Sequence, residues 1–331
     1  MSKIKKKTAL FISSIALLRI NTLFQERKTN GISINAEKIL IMGGGGTLGA
    51  IWQVGSLLRL IEEGSLDLNN FDLRVCTSAG SLALAVVDSD LSFEEIDQLI
   101  ANSQIEHKGK TLRLPDTEYR KDKGRLNNPR ILLNGLKYLQ LPRFNNILSG
   151  FIPEGAASLE PLGNFIDDLH GDWPEKATFV VASDLDSGRR VVFNKLSNVK
   201  FSDAVKASCS VPGVFKPISI NSTRYIDGGV HSSINYDLAV KARAKEIFIL
   251  TSSTGFTRIR AKDKPLVLVS KIYRNLMEIH LRRIEFFCKA KGVKLTILRP
   301  RDSEKEILLK SGSLLNEDHM IELYLQSKKR V

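Results

Sequence analysis

Short apolar runs alternate with longer amphipathic stretches along the chain from Glu37 onward. The run "KILIM" has the length and composition of a buried strand, and "GAIWQVGSLLRLIEEG" repeats its apolar residues at helical spacing before Gly64. The pair recurs as "DLRVC", a predicted strand, and "AGSLALAVV", a predicted buried helix. In "SFEEIDQLI", Ser92 and Glu95 have the spacing of a helix capping box. This alternation predicts an α/β fold with a mostly parallel central sheet and helices on both faces.

Residues 103–160 interrupt this regularity. They collect charges and prolines around "KDKGRLNNPR", a composition more typical of an insertion or lid than of a core element. Regularity returns in "ATFVVASDLDSGRRVVF", which predicts a hairpin. A helix at "FSDAVKAS", a strand and turn at "RYIDGGV", a strand at "EIFILTSS", a basic helix near 265–290 and a last strand at "KLTILRP" follow. We therefore expect a catalytic domain over 36–255, completed by a basic C-terminal part over 256–331.

Residues 1–35 have a pattern of their own and are set apart from the fold. A lysine-rich start precedes an apolar run from Ala9 to Leu18, which Arg19 interrupts. The run is too short to span a bilayer. It suits a secretory signal, although no convincing small-residue cleavage site precedes the arginine, and it equally suits a helix lying in a membrane interface. The two interpretations predict an exported protein and a cytoplasmic, peripherally membrane-associated protein, respectively.

Composition changes this picture mainly through charge. The 331 residues are 43% hydrophobic and 26% charged, as expected for a globular chain. The net charge of +13 is regional: residues 1–30 carry seven Lys or Arg against one acid, 107–143 ten against three, and 256–301 thirteen against three. Such regions suit an anionic membrane surface or a solvated basic face, and no nucleic-acid-binding motif accompanies them. The three scattered cysteines predict neither a disulfide framework nor a zinc site.

The first predicted strand runs into "MGGGGTLGA", a loop that suits two kinds of chemistry. Its glycine spacing matches a dinucleotide-binding turn, which requires an acidic residue at the end of the second strand. Asp67 has the right distance along the chain but precedes that strand, which ends instead at Ser78. The alternative is an oxyanion hole, in which Gly44, Gly45 and Gly46 present backbone amides to developing negative charge. The position of Ser78 favours the oxyanion hole.

Two further stretches complete a candidate site. In "VCTSAGSLALAV", Ser78 occupies a strand-to-helix corner between small residues, which is the arrangement of a nucleophile elbow. A serine at such a corner also serves simply as a helix N-cap. In "RYIDGGV", Asp227 ends a short strand before two glycines, where Asp-Gly by itself is usually only a turn.

The three stretches, in this order, resemble the patatin-like phospholipase family. That family combines a glycine-rich oxyanion loop, a G-x-S-x-G elbow and an Asp-Gly-Gly or Asp-Gly-Ala motif, and "ASCSVPGVFKP" is similar to the segment that precedes the family's aspartate. The resemblance implies a three-layer α/β fold and a Ser–Asp dyad, with Ser78 as nucleophile and Asp227 as its base. It also implies an oxyanion hole formed by Gly45, Gly46 and the amide of Ala79.

The sequence departs from the family pattern at two positions. Leu48 stands where many members carry Arg or Lys, which leaves the backbone donors without that charge. Cys76 replaces the first glycine of the elbow, and we expect its small side chain to be accommodated there. His231 lies four residues after Asp227. A structural or surface role is our first interpretation of His231, and a Ser-His-Asp triad is the alternative.

The sequence thus predicts a lipid acyl hydrolase of the phospholipase A type, acting on acyl esters through an acyl-enzyme. This chemistry requires no metal, nucleotide or other cofactor. An acyltransferase or thioesterase with the same dyad and an inactive lipid-binding protein are the alternatives. The expected partners are a phospholipid or acyl-ester substrate and an anionic membrane surface, without nucleic acid.

Overall fold

Eight strands form one mixed sheet at the centre of the computed structural model. The structure describes residues 35–115, 155–260, 265–310 and 317–329. The predicted N-terminal segment therefore lies outside the described residues, apart from its last position, as do residues 116–154 of the predicted insertion.

Strands and helices follow one another in chain order. The strands are β1 (Lys38–Met42), β2 (Leu73–Thr77), β3 (Gln104–His107), β4 (Lys110–Arg113), β5 (Thr178–Asp184), β6 (Arg190–Phe193), β7 (Ile218–Ile220), β8 (Thr223–Asp227), β9 (Glu246–Leu250) and β10 (Lys294–Leu298). The helices are α1 (Gly46–Glu62), α2 (Ala79–Val87), α3 (Phe93–Asn102), α4 (Glu160–Leu169), α5 (Phe201–Cys209), α6 (Asp237–Lys241), α7 (Pro265–Lys291), α8 (Asp302–Lys310) and α9 (Glu317–Lys328).

The parallel strands of the sheet bring the loops that contain the candidate site to one edge. The strand order is β10-β9-β1-β2-β5-β8-β7, and β6 pairs with β5 off this path. Because β10, β9, β1, β2 and β5 are parallel neighbours, their carboxyl ends lie at one edge. β6 and β8 pair antiparallel with β5, and β7 pairs antiparallel with β8. The loops after β1 and β2 thus meet at the edge where open α/β sheets bind their ligands.

Helices cover the sheet in the three-layer α/β arrangement that the family resemblance predicts. α1 packs against α2, α5 lies on β5 and against α4, and α7 packs on β10. The apolar run of β1 is fully buried from Ile39 to Met42, as expected for a strand covered on both faces. No helix within the described ranges is both long and apolar enough to cross a membrane.

The last helix, α9, is seated directly on α1. A Cβ at Gly55 would lie 2.0 Å from the Ser327 hydroxyl, so the two helices approach where α1 has no side chain. The Tyr324 hydroxyl donates a hydrogen bond to Asp97 of α3, and the Lys328 ammonium contacts the same carboxylate at 2.8 Å. These contacts hold the end of the chain against the middle of α1.

Most predicted elements are present, and the capping box is confirmed. The Ser92 hydroxyl accepts from the Glu95 amide at 3.2 Å, and the Ser92 amide donates to the Glu95 carboxylate at 2.7 Å. The separate hairpin β3–β4 was not predicted, because it lies within the stretch 103–160 interpreted as irregular. Helix α4, which begins at the end of that stretch, was also not predicted. The domain division at residue 255 stays a prediction.

Candidate active site

The carboxyl end of β2 presents Ser78 at a sharp corner. Ser78 has φ 50° and ψ −121°, a region that residues other than glycine rarely adopt, and α2 begins at the next residue. The helix comes this close to β1 because Gly80 has no side chain: a Cβ there would lie 2.3 Å from the Met42 carbonyl oxygen. Strained backbone of this kind persists only where its surroundings hold it, and it is enriched at functional sites.

Hydrogen bonds from neighbouring elements hold this corner. The Ser78 amide donates to the Ser208 hydroxyl at 2.8 Å, and that hydroxyl donates to the Val181 carbonyl oxygen at 2.6 Å. The Ser81 hydroxyl donates to the Ser78 carbonyl oxygen at 2.7 Å. Ser208 thus joins α5 to β2 and β5 beneath the serine. No local pattern in the sequence indicates this role, because 130 positions separate Ser208 from Ser78.

Asp227, at the end of β8, meets Ser78. Its carboxylate accepts a hydrogen bond from the Gly229 amide at 2.6 Å. Burial raises the pKa of Asp227 to about 6, and hydrogen bonding from the neighbouring Ser78 side chain and the Gly229 amide opposes this rise. The carboxylate is therefore a stronger base than an exposed aspartate, yet it is mainly ionised at neutral pH.

The glycine loop lies beside this pair. The Gly43 and Gly44 amides donate to the carbonyl oxygens of Leu250 and Ser233, at 2.9 and 3.1 Å. A Cβ at Gly44 would lie 3.5 Å from the Ser78 Cβ. The loop is thus fixed to β9 and to the segment after Asp227 while it contacts the serine corner.

Three amides at the starts of α1 and α2 have no protein acceptor among the described residues: those of Gly45, Gly46 and Ala79. Gly46, with φ +66°, starts α1, and Ala79 starts α2. The first amides of a helix lack intrahelical partners and carry positive partial charge. These three amides therefore remain available as donors, whereas the Gly44 amide already donates to the Ser233 carbonyl oxygen.

A comparison with known families gives this arrangement a context. The family model described as "Patatin-like phospholipase" matches residues 40–240, a span that includes all three motifs. The chain belongs to the patatin-like phospholipase family. Membership of this family supports a lipid hydrolase.

Several solved structures are similar to this patatin-like chain. VipD from Legionella pneumophila is 13% identical at a TM-score of 0.38, over 92% of this chain and 73% of that one. Human GIVD cytosolic phospholipase A2, in complex with methyl gamma-linolenyl fluorophosphonate, is 10% identical at a TM-score of 0.38, over 93% of this chain and 59% of that one. ExoU from the type III secretion system of Pseudomonas aeruginosa is 15% identical at a TM-score of 0.34, over 90% of this chain and 53% of that one. The chain spans little more than half the length of the last two.

Both departures from the patatin-like pattern are accommodated in the core. Cys76 is fully buried in β2, opposite Met42 of β1 and Val180 of β5. Burial raises the pKa of its thiol to about 12, so Cys76 is an uncharged core side chain at neutral pH. Leu48 is also buried in this core.

His231 lies in the surroundings of a different carboxylate, that of Asp237. Burial alone would raise the pKa of Asp237, but hydrogen bonds and charge from Arg190, with smaller contributions from Lys241 and His231, hold it below its usual range. The His231 amide donates to the Gly228 carbonyl oxygen at 3.1 Å. Asp67, the acid considered for a nucleotide site, caps the turn before β2, away from the glycine loop.

A hydroxyl that the sequence did not point to lies against the glycine loop. A Cβ at Gly45 would lie 2.1 Å from the Ser252 hydroxyl oxygen, and one at Gly49 would lie 2.6 Å from it. This buried hydroxyl has no hydrogen-bond partner among the described residues. The Ser252 carbonyl oxygen accepts from the Arg274 guanidinium at 2.8 Å, which connects the loop to α7.

Asn235 joins the strand before the serine to the segment after the aspartate. Its side-chain amide donates to the Thr77 hydroxyl at 3.0 Å and accepts from the Arg190 guanidinium at 3.2 Å. Asn235 is fully buried and has φ 49°, a conformation that asparagine tolerates better than most residues. It therefore ties the residue before Ser78 to the segment that follows Asp227.

Proposed function

We propose that this patatin-like protein is a lipid acyl hydrolase of the phospholipase A type that uses Ser78 and Asp227 as a dyad. The observation that carries the proposal is the position of the strained Ser78 corner beside the buried Asp227 carboxylate and the glycine loop. The amides of Gly45, Gly46 and Ala79 have no protein acceptor among the described residues and supply the oxyanion donors of this proposal. Such a mechanism requires that nucleophile, base and oxyanion donors converge within hydrogen-bonding reach of one reacting carbonyl, and the proximity of the Ser78 corner, Asp227 and the glycine loop supports it.

The first half of the reaction forms an acyl-enzyme. The Ser78 oxygen attacks the ester carbonyl carbon while the Asp227 carboxylate takes the hydroxyl proton. The amides of Gly45, Gly46 and Ala79 donate to the resulting oxyanion. When the tetrahedral intermediate collapses, the ester bond breaks and the departing alcohol takes the proton from Asp227.

The second half regenerates the enzyme. Asp227 takes a proton from water, the hydroxide attacks the acyl carbon, and the same amides stabilise the second oxyanion. Collapse breaks the bond to the Ser78 oxygen, which recovers the proton as the fatty acid leaves. A pKa near 6 suits both steps, because the carboxylate is about nine-tenths ionised at pH 7 and still basic enough to accept a proton.

The decisive experiment is hydrolysis of a phospholipid panel, with fatty acid and lysophospholipid measured by mass spectrometry. Ser78→Ala should reduce product release to the uncatalysed level, because it removes the nucleophile. Ser65→Ala, at an exposed serine just after α1, is the matched control and should keep full activity. Turnover by the Ser78→Ala protein would contradict the assignment.

The same assay separates the alternatives. An added alcohol acceptor reveals acyl transfer as a new ester in place of free fatty acid, and an acyl-thioester substrate reveals a thioesterase. An intact protein that binds lipid but releases no product would be an inactive lipid-binding member. We place the protein at a membrane surface, from which it would draw its lipid substrate.

A further inference from the structure

The outer face of α7 carries a row of exposed apolar side chains. Ile272, Ile279 and Phe286 are 37%, 41% and 76% exposed. Their seven-residue spacing places them on one side of the helix, over about 21 Å. Phe256 and Ile259, in the loop before α7, are 56% and 46% exposed. We call these five residues the α7 surface.

Polar contacts make the loop and the helix one continuous surface. The Asn275 side chain accepts from the Thr257 amide at 2.7 Å and donates to the Thr257 carbonyl oxygen at 3.1 Å. The Lys271 ammonium donates to the Arg258 carbonyl oxygen at 3.1 Å. The Arg282 guanidinium lies 4.9 Å from the centroid of the Phe256 ring. The apolar side chains of the loop are thus held beside those of the helix.

Basic side chains surround the α7 surface. Arg258, Arg260, Arg282 and Arg283 are exposed within the same stretch. The acids of the helix are paired: Glu278 is buried against Thr254 and near Arg299, and Glu285 contacts Arg299 at 2.7 Å. An exposed apolar row with a cationic border is the composition of helices that lie in the plane of a membrane interface.

Charge identifies the occupant of this face. Residues 1–34 carry seven Lys or Arg against one acid, and 116–154 carry seven against four, so neither segment of the chain complements an arginine border. A second copy meeting this face symmetrically would bring like charges together. An anionic lipid surface satisfies both the apolar row and the arginines.

From this complementarity we infer that the α7 surface docks on anionic membranes, inserting its five apolar side chains between lipids while the arginines contact the head groups. The surface begins next to the site, since Phe256 follows Ser252 by four residues and Arg274 of α7 holds the Ser252 carbonyl oxygen beside the glycine loop. Docking therefore brings the catalytic edge of the sheet to the lipid. The inference rests on the proposed function for this benefit alone, because binding itself requires no hydrolysis.

The test measures binding of the full chain to vesicles of phosphatidylcholine with phosphatidylglycerol, by flotation. All variants are made in the Ser78→Ala background, so that lipid degradation does not disturb the vesicles. The combined change Ile272→Ser, Ile279→Ser and Phe286→Ser should weaken partitioning by about tenfold or more, because it removes three of the five inserted side chains. The matched control is Leu196→Ser with Leu325→Ser, at two exposed leucines outside the α7 surface, which are 88% and 54% exposed.

Three outcomes decide the inference. A loss of binding in the triple variant, with retention in the leucine control and unchanged thermal unfolding in both, supports it. Equal binding by the triple variant and its parent overturns it, as does an oligomer in solution that only the triple variant dissociates. Because every measurement is of binding in an inactive background, failure of the proposed hydrolysis leaves this test intact.

Discussion

Asp227 stays charged at neutral pH in a buried position that favours its neutral form. The pKa of this carboxyl is 3.8 when it is exposed in the unfolded chain, and burial raises it to about 6 in the folded protein. The free energy of unfolding therefore falls as the pH rises through this interval. Asp227→Asn removes that loss. We expect the variant to exceed its parent in unfolding free energy by on the order of 2–3 kcal/mol at pH 8, and by little near pH 3.5. Chemical denaturation at both pH values checks this expectation.

The same substitution should abolish hydrolysis, because an amide cannot take the Ser78 proton. In the parent, kcat/KM for a soluble short-chain ester should fall as the pH drops below about 6, where Asp227 becomes protonated. His231→Ala should keep most activity with the same pH profile. If it instead matched Ser78→Ala in severity, a triad would replace the dyad.

Gly45 and Ser252 form a pair whose coupling can be measured. Gly45→Ala should reduce kcat by about a hundredfold, because its Cβ would meet the Ser252 hydroxyl and displace the oxyanion donors. Ser252→Ala removes the clashing oxygen and should restore part of that loss in the double variant, since the Ser252 Cβ lies 3.5 Å from the added Cβ. Purely additive losses in the double-mutant cycle would show that the two positions act independently.

The sequence identifies residues that belong to short local motifs, and it misses residues whose contacts are with distant parts of the chain. Ser78 and Asp227 stand in short motifs, and Ser92 with Glu95 spell a cap within four positions. Ser208, Asn235 and Ser252 have no such pattern. Their roles arise from contacts with residues far along the chain, which exist only once the strands are ordered in the sheet.

At the scale of elements, Asn235 holds the segment after β8 against the end of β2. Asn235→Ala leaves the Thr77 hydroxyl and the Arg190 guanidinium each one partner short, and should cost about 2–4 kcal/mol of unfolding free energy and lower kcat. The matched control is Asn198→Ala, at an exposed position with φ 52°. It should cost about 1 kcal/mol or less and leave kcat unchanged, since it tests the backbone conformation alone. Equal effects on kcat from both variants would refute a positioning role.

Element prediction succeeded where periodicity was uninterrupted and failed at the margins of the irregular stretch. The strand "KILIM" is apolar after its lysine because β1 is covered on both sides. In "DLRVC" the buried Arg74 interrupts the apolar residues and pairs with Asp88. Helix α4 was missed although its buried residues have helical spacing; these are Leu162, Phe165, Ile166 and Leu169. Its partner surface on α5 follows about 35 residues later, beyond the window in which periodicity is judged.

At the scale of the whole molecule, regional charge predicts how the protein meets lipid. Binding to anionic vesicles should weaken steeply as salt shortens the Debye length below about 10 Å. Deleting residues 1–30, with their seven Lys or Arg against one acid, should weaken this binding further. Hydrolysis of a soluble short-chain ester should be spared, because the proposed dyad and oxyanion donors all follow residue 39. Equal binding to neutral and anionic vesicles, unaffected by the deletion, would exclude an electrostatic contribution.

The seat of α9 on α1 has a practical consequence for producing this protein. α1 starts at the glycine loop, and α9 packs against its middle, where Ser327 lies over Gly55. A reporter fused tightly behind Lys328, or an expression clone that stops before Glu317, would loosen α1 and the glycine loop from which it starts. Such a preparation would have low specific activity although its active-site residues were all intact, so a long spacer is needed before any carboxyl-terminal tag.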